Sequence, residues 1–201
     1  MTTHGLEVGT GTKSHRALLA LSGDEDHILN VMEHVVLGKH SMLKAEPGSK
    51  LRFNGTTFDI ESTEADNLAG LGNLTIIVAN TGNIPAQLEV AGKDLGDVAD
   101  GFVNNFVIDT LQIGGVGPGH LTLVDLFDNQ PDFEGAEALY VNNLIINPGS
   151  TFDMGGLNVY VANSSLAASA QTVNGRVLLL PEPSTALLMA SLLVLCRFRS
   201  R

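Results

Sequence analysis

Carboxylates recur at short intervals in Asp125-Leu-Phe-Asp128-Asn129-Gln-Pro-Asp132-Phe-Glu134. Oxygen donors at such short intervals suit a hard divalent cation. Asp125, Asp128, Asp132 and Glu134 are therefore a candidate Ca²⁺ loop, weighed against an ordinary acidic surface loop. The spacing departs from the EF-hand, which needs Gly at the sixth loop position and Glu at the twelfth. Asp94, Asp97 and Asp100 recur every third residue and read as a second charged loop. The six histidines form no H-x-x-x-H or H-E-x-x-H pair, and the patch Asp24–His27 with Glu33 and His34 reads as a solvated loop.

The other chemistries fare worse. A glycosidase needs two carboxylates facing each other across a cleft, and acids are plentiful. A polysaccharide lyase also needs basic residues, yet Lys93 is the single Lys or Arg between Arg52 and Arg176. That gap also argues against phosphate binding. Gly114-Gly-Val-Gly-Pro118-Gly119 contains Pro118 and lacks the lysine of a phosphate loop, so it reads as a turn. There is no G-x-S-x-G, and the one cysteine, Cys196, lies near the C-terminus. The expectation is a non-catalytic protein with no cofactor beyond the Ca²⁺ candidate.

The elements that would carry these residues read as β-strands. The chain of 201 residues is 44% hydrophobic and 16% charged, with 22 Gly, which suits short strands and tight turns. Leu74–Ala79, Gln87–Val90 and Leu121–Phe127 are strand-like. Glu46–Ile60 (EPGSKLRFNGTTFDI) and Asn147–Val161 (NPGSTFDMGGLNVYV) repeat a turn–strand–turn–strand pattern at an offset of 101 residues, aligning Leu51 with Phe152 and Phe53 with Met154. Phe106–Gly114 and Leu139–Asn147 share a second pattern, in which Ile108, Leu111 and Ile113 match Val141, Leu144 and Ile146. A bend at the intervening Asp or Asn would turn both apolar sets inward. The pattern predicts a mainly β fold, a β-solenoid in which each rung buries its face on the next, with an antiparallel β-sandwich as the alternative. The text also resembles the β-strand repeats of autotransporter passenger domains.

Charge is distributed unevenly. Acids outnumber Lys and Arg 22 to 11, and three of the arginines are Arg197, Arg199 and Arg201. Without the segment Ser184–Arg201, 8 basic residues would face 22 acidic ones, a formal charge of −14. Such a body repels nucleic acid.

The last residues run in three parts. Pro181, Glu182 and Pro183 break any preceding element and can open a helix. An uncharged run, Thr185–Cys196, follows; it includes Leu187, Leu188, Leu192, Leu193 and Leu195. Arg197, Arg199 and Arg201 close the chain and favour the cytoplasmic side of a membrane. Twelve helical residues span about 18 Å against about 30 Å of hydrocarbon, a marginal anchor suited to a temporary handle.

In all three parts this segment resembles a PEP-CTERM sorting signal. The resemblance implies that an exosortase, a membrane-embedded protease, recognises and processes Pro181, Glu182 and Pro183. It also implies that Thr185 to Leu195 form a short transmembrane helix before processing, and that the arginines act as the cytoplasmic stop. The expected organisation is a β-rich body over 1–162, a linker or last strand over 163–180 and the sorting tail over 181–201. The expected protein is exported, tethered to the membrane as a precursor, then placed at the cell surface or in the extracellular matrix, with extracellular polysaccharide as a partner. A secretory leader is not evident: Lys13 and Arg16 precede only the short apolar run Ala17–Leu21, which suggests a body whose N-terminal portion is missing.

Overall fold

The computed structural model describes residues 1–10, 17–23 and 27–180. The whole sorting segment, from Pro181 through Thr185, the leucines and the three arginines, lies outside the described residues. Among those described, no helix is long and apolar enough to cross a membrane.

The described chain is mainly β. Its strands are β1 (Thr2–Val8), β2 (Ala17–Leu21), β3 (Ile28–Leu37), β4 (Ser41–Ala45), β5 (Ser49–Phe53), β6 (Thr57–Ile60), β7 (Leu74–Val78), β8 (Ala86–Glu89), β9 (Gly92–Lys93), β10 (Ile108–Ile113), β11 (His120–Val124), β12 (Glu137–Ile146), β13 (Thr151–Asp153), β14 (Asn158–Leu166), β15 (Gln171–Val173) and β16 (Val177–Leu179). Most belong to one curled sheet; β2 and β4 pair separately. Every pairing is parallel except that of β9 with β12. The antiparallel sandwich is thereby overturned. A sandwich needs hairpins, whereas here the chain travels some twenty to thirty-five residues before returning beside itself.

The pairings fall into three columns. The first runs from β1 through the start of β3, then β5, β7, β10, the end of β12 and the end of β14. The second runs from β1 through the end of β3, then β6, β8, β11, β13 and β15. The third contains the start of β12, β14 and β16, while β2 and β4 pair only with each other in a separate two-stranded sheet. No strand ladder joins β4 to β12. The 3₁₀ segments Ala65–Asn73 and Ala99–Phe102, with the short β9, occupy that stretch of chain.

Parallel strands stack identical positions, so the core is a set of rows. Leu51, Ile76, Leu111 and Leu144 stand in register on successive strands, each at most 1% exposed. Phe53, Val78, Ile113 and Ile146 form the next row, and Val35, Phe58, Leu88 and Leu123 line the second column. Each such side chain contributes about 1.5–3 kcal/mol of burial. Phe53 and Phe58 meet edge to face across the corner, centroids 5.7 Å apart.

The sequence repeats acquire physical meaning here. Ile108, Leu111 and Ile113 pair directly with Val141, Leu144 and Ile146, and all three are buried although the half-buried Asp109 and Thr110 both separate the first two. Beside them Asn143 donates to the Asp109 carbonyl at 3.3 Å, and Asn163 donates to Asn143 Oδ1 at 3.4 Å, a polar ladder outside the apolar rows. The two Pro-Gly-Ser copies are type II turns. Ser49 N–H donates to the Glu46 carbonyl with Gly48 at φ +88°, and Ser150 N–H donates to the Asn147 carbonyl with Gly149 at φ +74°. They open strands in different columns, β5 in the first and β13 in the second. The offset of 101 residues therefore marks reuse of a turn, not a period of the fold. Residues 163–180 carry the end of β14, β15 and β16, each paired to the strand before it.

Candidate functional site

A groove opens in the stretch between β4 and β12. The 3₁₀ segment Ala65–Asn73 forms one wall and the loop after Ala99–Phe102 forms the other. One end holds about 450 Å³, lined by Asp66, Phe102, Asn104, Phe106 and Asn142 among others. An adjoining space of about 410 Å³ adds Glu64, Lys93 and Gln130.

The loop wall is held under strain. Asn104 and Phe106 sit at φ +49° and +54°, the left-handed region that a bulky residue avoids. Between them, buried Asn105 clamps the loop: its Oδ1 accepts from Lys93 N–H at 2.7 Å, and its Nδ2 donates to the Lys93 and Gly101 carbonyls at 3.0 and 3.1 Å. Beside it, Tyr140 and Tyr160 stack at 4.8 Å, and Phe102 meets Tyr140 edge to face at 5.2 Å. Tyr140 Oη accepts from Leu95 N–H and donates to the Gly96 carbonyl. Gly101 is obligatory against this stack, because a Cβ there would run into the Tyr140 ring. Asp94, read from the sequence as part of a charged loop, accepts from Tyr160 Oη at 2.7 Å and Asn158 Nδ2 at 2.6 Å. Burial, then the Asp94 hydrogen bond, holds the Tyr160 phenol well above its ordinary pKa.

Gln130 leads from the groove to a buried polar cluster. Its Nε2 donates to the Ala91 carbonyl at 2.7 Å, and its N–H donates to Glu137 Oε1 at 3.1 Å. The same Oε1 accepts from Asn129 N–H at 2.6 Å. Glu89, at the end of β8, accepts with Oε1 from Leu126 and Phe127 N–H, both at 2.8 Å. The turn after β11 thus wraps its N–H groups around two carboxylates from different strands. Glu89 is 1% exposed, Glu137 5% and Asn129 0%. Burial first of all pushes both carboxyls up to about 7; the charge of Asp125 adds to each, and Glu89 adds to Glu137. Three buried oxygens here have no hydrogen-bond partner: Glu89 Oε2, Glu137 Oε2 and Asn129 Oδ1. All three are acceptors.

The candidate Ca²⁺ residues Asp125, Asp128, Asp132 and Glu134 are all exposed along this same turn and the loop after it. Asp128 accepts from Gln130 N–H at 3.2 Å, shaping the turn. Burial, then the Asp128 charge, raises the Asp125 carboxyl. Among the described residues no three His, Cys, Asp or Glu side chains converge as a metal-ligand group. The residues that sequence reasoning passed over are Glu89, Asn129 and Glu137. Their signal was present: Leu88-Glu89-Val90-Ala91 and Ala136-Glu137-Ala138-Leu139 each set one acid inside an apolar run.

No protein-family model, curated protein or solved structure matches this chain.

Proposed function

We propose that the strand columns are the faces of a β-solenoid, and that the chain is a non-catalytic component of a cell envelope or extracellular matrix. It is exported and sorted through Pro181, Glu182 and Pro183 by an exosortase-type protease, with Thr185 to Leu195 as a temporary anchor and Arg197, Arg199 and Arg201 as its cytoplasmic stop. The observation that carries this reading is the ordered tail of Pro-Glu-Pro, uncharged run and arginines. The body is consistent with it: the outward row Thr57, Gln87, Thr122 and Asp153 is short and polar, as suits a spacer. Mass spectrometry of the released protein tests the sorting claim. The expected C-terminus of the released form lies at or near Pro181–Pro183, and altering this motif to alanine keeps the protein in the membrane fraction. An intact Arg201 on released wild-type protein overturns it.

A second reading, polysaccharide binding, is favoured by the groove. An aromatic edge (Phe102), amides (Asn104, Asn142) and a carboxylate (Asp66) are the side chains that hold sugar hydroxyls and ring faces. Glu64 and Asp66 belong to the same wall rather than facing each other, which favours binding over cleavage. Titration with acidic and neutral polysaccharides tests it: Phe102→Ala and Asn104→Ala should weaken any binding by ~10-fold or more, and unchanged binding removes the groove from consideration.

A further inference from the structure

The structure assigns a divalent-cation site to the two buried carboxylates Glu89 and Glu137 with the side-chain carbonyl of Asn129, separate from the exposed acids on the same turn. Each carboxylate spends Oε1 on two backbone N–H groups and keeps Oε2 unpartnered. Asn129 spends both Nδ2 hydrogens, on the Ile60 and Ser62 carbonyls at 2.8 and 2.9 Å, and keeps Oδ1 unpartnered. One residue with a stray acceptor would be unremarkable. Three buried acceptors on residues bound to one five-residue turn, with no protein donor for any, form a set that a bound cation would complete. The acids that reach Glu89 and Glu137 electrostatically, Asp59 and Asp125, are themselves negative. Lys93, adjacent to Glu137 in the β9–β12 register, directs its Nζ over the Phe133 ring instead.

The donor set specifies the class of ion. It consists of oxygen alone, with two carboxylates and one neutral carbonyl, which suits Ca²⁺ and not a thiolate- or imidazole-seeking metal. Two negative charges against one dication leave the buried site neutral, and water supplies the remaining coordination. Asn129 also spans the corner from β6 to the turn after β11, so the ion would lock that turn to the strand stack.

The test is calorimetric and thermal titration of the full chain, stripped with chelator, using CaCl₂ alone. Expected is one equivalent bound and a raised melting temperature. Glu137→Gln and Glu89→Gln, which keep the Oε1 acceptor and so the turn, should each weaken binding at least ~10-fold, the lower bound for changes even one shell further from a metal. Asp132→Asn and Glu134→Gln should leave it unchanged. Absence of binding at millimolar Ca²⁺ overturns the assignment. So does loss of binding in the Asp132 and Glu134 variants with retention in the Glu89 and Glu137 variants, which would move the site to the exposed loop.

Discussion

Removing the side chain of Asn129 should unlatch the turn after β11 from the corner after β6. In Asn129→Ala the Ile60 and Ser62 carbonyls lose their Asn129 donor at positions where that side chain is fully buried. Leaving a buried acceptor unsatisfied costs about 1–3 kcal/mol, so the pair amounts to roughly 2–6 kcal/mol. That is a large fraction of the roughly 5–15 kcal/mol typical of a folded domain. At about 2–4 °C per kcal/mol for a chain of this size, the melting temperature should fall by roughly 4–24 °C. The backbone N–H of Asn129 still reaches Glu137, so the loss is confined to the side chain. Asn129→Asp sharpens the test. It keeps the shape, removes both donors and adds a third acid to Glu89 and Glu137, so it should be at least as damaging. Urea unfolding in chelator measures both, and limited proteolysis at Phe127 and Phe133 should quicken in each. An Asn129→Ala midpoint within ~0.5 kcal/mol of wild type would refute the latch.

Other expectations follow from the same geometry. In chelator, wild-type stability should be greatest below about pH 4.5 and fall as pH rises toward about 7, because burial raises the folded-state pKa of Glu89 and Glu137 above the unfolded value. Glu137→Gln should lose its share of that slope and be the more stable protein at pH 8, by up to about 3 kcal/mol; a steeper slope would count against it. Gly101→Ala should disturb the Phe102–Tyr140–Tyr160 stack and lower the melting temperature, with a changed tyrosine near-UV circular dichroism signal as the readout. Asn104→Gly should raise stability by about 1 kcal/mol, since glycine accepts the left-handed backbone without strain; a destabilised variant would show the Asn104 side chain to be structural.

Some of this was written plainly in the sequence. The offset pairing of Ile108, Leu111 and Ile113 with Val141, Leu144 and Ile146 is the actual strand register, because neighbouring parallel strands place like residues over like. The Pro-Gly-Ser turns were equally legible, since Pro at the second position and Gly at the third admit one turn type. The fate of the acids was not. Asp125, Asp128, Asp132 and Glu134 attract attention by their density, yet density in sequence measures solvation as readily as convergence. Glu89 and Glu137 lie forty-eight residues apart and come to bind the same turn because the chain returns beside itself.

Local chemistry by itself decided that this chain makes short strands, where its tight turns fall, and which apolar residues face inward, because those depend on neighbours within a few positions. Only the tertiary structure decided that the strands run parallel, that a groove opens between β4 and β12, and that two isolated glutamates share one buried turn. Those outcomes depend on which distant strand lies beside which, and no periodicity along the chain encodes where an excursion such as 94–107 will fold back.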